Sequence, residues 1–147
     1  MTALIRSRNT PRYGAEPMPA KHAVKVKADT KCFAGGIAVI DAGYAAPGRA
    51  AAGLLCYGRF EADVDNTGGA NGEKTAEILS GCFKYANSTA GDLIVQADVG
   101  KLCFIVDDQT VAKTDGGGGA RSVAGRIESV DPDGVWVLMG PALLPTA

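Results

Sequence analysis

The sequence predicts an all-β protein, a small barrel or sandwich of short antiparallel strands. Three observations predict it. Apolar runs are short, rich in Val, Ile and aromatic residues, and separated by Gly, Pro, Asn or Asp. Twenty glycines and only 6 % aromatic residues in 147 suit short strands joined by Gly-rich turns better than long helices. Finally, residues 100–140 contain three such runs, at 102–106, 123–130 and 135–139, the last two joined by Asp131-Pro132-Asp133-Gly134. Proline presets φ for that turn and glycine accepts the positive φ of a tight reversal, so a hairpin is expected there.

Taken in order, residues 1–21 hold Pro11, Pro17 and Pro19 among small and polar residues. Prolines so closely spaced forbid a helix and cannot donate to a ladder, so an extended N-terminal arm is expected. The β-rich body then spans residues 22–140. Residues 22–27, HAVKVK, alternate as a first strand with Val24 and Val26 on one side. Gly35-Gly36 makes a turn, residues 37–40 form a short strand, and Asp41-Ala42-Gly43 reverses it. Residues 44–49 lead to a Pro47-Gly48 turn. A longer strand is expected over 52–65, with Gly53 and Gly58 marking a bulge or bend. Residues 66–72, NTGGANG, read as a hairpin loop, and 73–86 return as a strand with a possible kink at Gly81. The one short helix is placed near 93–96, capped by residues 88–92. Gly116 to Gly119 read as a loop of no preferred shape. Residues 141–147, with Pro141 and Pro145, read as an extended C-terminal tail.

Charge is asymmetric. Residues 1–31 carry seven basic and two acidic side chains, net +5; the rest carry eight basic and fourteen acidic, net −6. A basic leader on an acidic body points to a negative partner, and Arg6, Arg8, Arg12 and Tyr13 are the contact candidates. The acidic body argues against direct nucleic-acid binding. No run of about 18 apolar residues is present, so no membrane span is expected, and Arg6, Arg8 and Arg12 interrupt any signal-peptide core. Cytoplasmic synthesis with reduced cysteines follows.

Each of the four cysteines precedes an aromatic residue: Cys32-Phe33, Cys56-Tyr57, Cys82-Phe83 and Cys103-Phe104. Strand neighbours face opposite ways, so each pair sends sulfur to one side and a ring to the other. If one side is the core, then Phe33, Tyr57, Phe83 and Phe104 are candidates for a self-association layer. The cysteine spacings contain no CxxC, and His22 is the lone histidine, so structural thiols outweigh a zinc site. Asp107, Asp108 and Asp115 fit no EF-hand spacing and read as turn residues; Asp63 and Asp65 share a strand face without a second acid/base pair. Gly116 to Gly119 lack a GK[ST] ending. A Ser–His or Cys–His arrangement is improbable with His22 beside the arm. No metal, cofactor or catalytic set is expected, and the chain is read as a non-enzyme.

The stretch GKLCFIVDDQTVAKTDGGGGARSVAGRIESVDPDGVWVLMG, with AGGIAVIDAGYAAPG, GLLCYGRFEADVDNTGGANGE and GCFKYANS upstream, resembles head decoration, or capsid cement, proteins of tailed bacteriophages. The resemblance spans about residues 23–140 and rests on strands and turns. It implies a β-rich protein on the outer surface of an icosahedral virion head, reinforcing joints between capsomers. The implied partners are the major capsid protein and itself, as a trimer more often than a dimer. No active-site residues come with the family. The competing reading is a β-domain that binds carbohydrate or a host surface, with Tyr13, Tyr44, Tyr57, Tyr85 and Trp136 as stacking platforms.

Overall fold

The computed structural model describes Arg6 and residues 21–141. The fold is all-β. In chain order the strands are β1 (Lys21–Lys25), β2 (Lys31–Cys32), β3 (Ile37–Asp41), β4 (Tyr44–Pro47), β5 (Leu55–Phe60), β6 (Val64–Asp65), β7 (Thr75–Leu79), β8 (Gly81–Asn87), β9 (Leu102–Ile105), β10 (Thr110–Ala112), β11 (Val123–Asp131) and β12 (Gly134–Met139). Apart from Arg6 and Lys21, the expected arm lies outside the described residues, as does the tail beyond Pro141.

Three sheets form. The first runs β1-β7-β5-β3-β4, and a parallel bridge from Val26 to Ala45 draws its two edges together. The second is a closed barrel, β10-β8-β12-β11-β9, and the third is the two-stranded ribbon β2-β6. Two cores result. The larger gathers Ile37, Val39, Leu79 and the barrel interior, including Ile105, Ile127, Val135 and Met139. The smaller gathers Val26, Cys32, Ala38, Phe60, Ala76 and Ile78. Strand β3 supplies both, so its IAVI run shows no alternation: a strand covered on both faces is apolar throughout.

The C-terminal hairpin forms as expected, with Asp131 opposite Gly134. The reversal after β3 is an equally tight turn, with positive φ at Ala42 (50°) and Gly43 (89°), the backbone that matches strand twist in a two-residue loop. The expected bulge in the Gly53–Gly58 region lies at Tyr57: Ala38 pairs with Gly58, but Val39 pairs with Cys56. That extra residue shifts the alternation, so Cys56 enters the larger core while Phe60 enters the smaller.

Several elements differ from expectation. The run 52–65 is not one strand. It bends after Phe60, and β6 leaves to pair with β2. The run 73–86 breaks at Ser80, beside the predicted kink, and its halves join different sheets. Strand β10 was not expected, and it pairs with β8 in parallel rather than antiparallel. Its three residues are too few for a periodicity signal. The expected helix over 93–96 is replaced by two 3-10 turns, Ala90–Asp92 and Gln96–Asp98. Between them the chain is extended, because the Asn87 side chain donates to Ile94 O and accepts from Ile94 N, both at 2.9 Å. The four-glycine loop has a definite shape. Gly116 to Gly119 all have positive φ, and the Asp115 carboxylate accepts from Gly117 N and Gly119 N.

Candidate functional site

The seam between the first sheet and the barrel carries a groove of about 600 Å³. One wall is the loop from Phe33 to Gly36. It is fixed at several points: Gly36 N donates to Phe33 O, Gly35 N to Phe60 O, and Ile37 N to Asp108 O. Gly35 takes φ +88°, open to glycine without strain. The facing wall is β8 and the turn before β10, where Ala86 N donates to Gln109 O and Gln109 N to the Asp107 carboxylate. Tyr85 forms the floor, its hydroxyl 3.3 Å from Gly35 O; burial first, and the nearby Cys56 second, raise its pKa, so the phenol stays protonated. Phe33 stands at the rim, half exposed at 50 %, with Lys31 Nζ 5.2 Å from its ring centre.

A second groove, about 340 Å³, shares Gly35, Lys84 and Tyr85 with the first and adds Arg59, Phe83 and Trp136. Its cations are already engaged. Lys84 hydrogen-bonds Asp133 and pairs with Asp131 at 3.2 Å, beside the Trp136 ring. Those contacts, Asp133 foremost, hold Lys84 above its usual range. Arg59 lies 4.3 Å over the Phe83 ring and bonds Glu61. Asp63, Asp107 and Asp108 add negative charge at the same rim, Asp63 through its bond to Ala34 N. The first groove is therefore aromatic within and carries these three carboxylates against Lys31 at its edge.

The second distinctive surface is the crossover from β8 to β9. Leu93 (41 % exposed), Val95 (40 %) and Val99 (37 %) project outward, while Ile94 between the first two is buried. Polar contacts hold this apolar ridge. Beyond the Asn87 clamp, Asp98 accepts from Val95 N and sits 3.6 Å from both Lys101 and Lys113. Asp92 binds Thr114 and Arg121, and Gly100 N donates to Ile127 O of β11. Lys101, Lys113 and Arg126 make its surroundings basic.

The candidates singled out in the sequence divide. Phe33 is exposed and lines the groove. Phe83 is corrected: it is 8 % exposed in the larger core beneath Arg59 and offers no free apolar face. The corner at Ser80 resets the alternation, so β8 turns its rings inward and leaves Cys82 half-buried, the reverse of the other three pairs. Tyr57 is half-buried against His22, and Phe104 half-buried on β9, so the four rings do not form one layer. Tyr85 and Trp136, read as scattered, line adjoining grooves because β12 pairs with β8. Arg6 is exposed; Arg8, Arg12 and Tyr13 lie outside the described residues.

The structure also brings His22 against a serine, which sequence spacing did not reveal. His22 Nε2 is 2.8 Å from Ser80 Oγ. Ser80 is fully buried and donates its hydroxyl proton to Tyr57 O at 2.9 Å, so His22 donates to Ser80 and no nucleophile is activated. The contact pins the start of β1 to the β7–β8 corner. Three of the four thiols are unreactive for a related reason: burial pushes Cys56 and Cys103 up to about 12 and Cys32 to about 11. Among the described residues no cluster of three His, Cys, Asp or Glu side chains forms, and no helix is long and apolar enough to cross a membrane. No family model, curated protein or solved structure matches this chain.

Proposed function

We propose that this chain is a virion decoration protein, bound to the outside of an icosahedral phage head and bridging its major capsid proteins. The carrying observation is the root of the basic leader. Lys21 opens β1 at the edge of the first sheet, and the His22–Ser80 contact anchors that edge to the body. A charged segment tethered to a firm body suits a cement role: the body supplies a fixed platform and the leader reaches a neighbouring acidic surface. Many copies on one shell bind multivalently, so each contact need only be weak. The strand-and-turn resemblance to decoration proteins points the same way.

Purified protein added to undecorated heads is expected to bind and raise the temperature at which they rupture. Removal of residues 1–20 is expected to weaken binding without unfolding the body. Heads that neither bind the full chain nor gain heat resistance would refute the reading.

A second reading, carbohydrate binding, draws on the adjoining grooves with Phe33, Tyr85 and Trp136. Aromatic faces stack on sugar rings. A glycan array with a hit abolished by Trp136→Ala, and no affinity for heads, would favour it.

A further inference from the structure

We propose that copies of this chain assemble head to tail, the Leu93–Val95–Val99 ridge of one entering the Phe33–Tyr85 groove of the next. The inference stands on described residues alone and holds or fails independently of the capsid reading.

The two surfaces are complementary in three respects. The first is shape: Leu93 and Val95 project from an extended segment, and a groove of about 600 Å³ has room for both. Charge is the second. Lys101, Lys113, Arg121 and Arg126 outnumber Asp92 and Asp98 at the ridge, whereas Asp63, Asp107 and Asp108 outnumber Lys31 at the groove. This difference in net charge favours ridge-to-groove encounter over ridge-to-ridge or groove-to-groove contact. The third is preorganisation. The Asn87, Asp92 and Asp98 bonds fix the ridge and the Gly35, Gly36 and Asp108 bonds fix the groove, so little ordering entropy remains to be lost on binding. Three exposed aliphatics on a segment held this way mark a contact surface rather than a loop tip, where small polar residues are the rule.

The two patches come from different parts of the barrel. The groove lies between the Phe33–Gly36 loop, β8 and the turn before β10, while the ridge follows β8 and ends against β11. Each copy thus offers one ridge and one groove, and a pair of copies either exchanges both ridges across a two-fold axis or makes the contact once and leaves one ridge and one groove free. The head-to-tail arrangement is the second case: the contact is heterologous and closes into a ring or extends into a filament, so the assembly is larger than a dimer.

Complementation tests this. Leu93→Glu with Val95→Glu removes the ridge; Phe33→Glu removes the groove. All three sites are surface-exposed, so both variants are expected to fold, as thermal unfolding checks. Sedimentation should give an oligomer larger than a dimer for the unaltered protein and the 15.0 kDa single chain for each variant alone. An equimolar mixture should give dimers and nothing larger, because one good ridge and one good groove remain. Val99→Glu is the second ridge variant should the first misfold. The proposal is overturned if the unaltered chain sediments as a monomer at all concentrations or stops at a dimer, if either variant still assembles, or if the mixture stays monomeric. It is equally overturned if removal of residues 1–20, and not loss of the ridge, dissolves the oligomer, since the groove would then hold the leader.

Discussion

Replacement of Gly58 by alanine isolates the closest backbone approach in the first sheet. Gly58 follows the Tyr57 bulge and takes φ +147°, where side-chain-bearing residues are strained. A methyl group there would stand 2.2 Å from Leu79 O and 2.7 Å from Leu79 C. The oxygen contact is about 1 Å inside the closest ordinary C–H···O separation. Neither neighbour is a flexible side-chain tip. Leu79 pairs with Arg59 and precedes the corner where the chain leaves for the barrel, so relief must open the β5–β7 pairing or shift that corner. Positive φ alone costs about 1–2 kcal/mol; a lost ladder hydrogen bond and disturbed packing of Phe60 and Ile78 add about 2–3 kcal/mol. The sum, about 3–5 kcal/mol, is a large fraction of a domain's stability. Gly43→Ala is the control: φ +89° with nothing within 4 Å, hence about 1 kcal/mol. Urea unfolding followed by the lone Trp136 measures both. Equal losses for the two variants would refute the argument that space, and not φ, sets the requirement at Gly58.

Ser122→Ala should cost about 1–3 kcal/mol, since Ser122 Oγ accepts from the buried Leu54 N at 2.9 Å and donates to Ala51 O; denaturant midpoints read the loss. Asn66→Asp should destabilise more than Asn66→Ala at neutral pH, because the buried amide donates to Lys27 O and Ala70 O and a carboxylate would face both carbonyls; comparison of the two melting temperatures decides. Asp41, Asp92 and Asp98 are held below the ordinary carboxyl value of 3.8, chiefly by hydrogen bonds from Lys27, Thr114 and Val95 N respectively. A depressed folded-state pKa stabilises fully above the unfolded value, and that contribution disappears as pH falls through the folded one. The melting temperature should therefore hold steady near neutrality and drop below about pH 4, with a smaller drop in Asp98→Asn. Thiol labelling of the native chain should modify Cys82 first, with Cys32, Cys56 and Cys103 reacting only on unfolding.

The positions that resisted sequence reading share a cause. Phe83 followed the cysteine–aromatic rule as well as Phe33 does, yet it is buried because the chain changes sheets at Ser80. His22 and Ser80 are 58 residues apart, and only the antiparallel pairing of β1 with β7 makes them neighbours. Leu93 and Val95 looked like part of a helix; their exposure depends on the Asn87 clamp, a single side chain whose partner no local pattern identifies.

By itself the sequence determined the all-β class, the C-terminal hairpin, the reversal at Ala42-Gly43 and the opposition of a basic leader to an acidic body. These are local: turn chemistry, strand propensity and charge are carried by adjacent residues. Only the tertiary structure decided that the strands divide between an edge-bridged sheet and a closed barrel, that β8 and β10 run parallel, and that an aromatic groove forms at the sheet–barrel seam while an aliphatic ridge forms on the β8–β9 crossover. Those features depend on which distant backbones pair and on bulges that shift side-chain facing by one residue, and period-2 alternation looks the same whichever partner a strand takes.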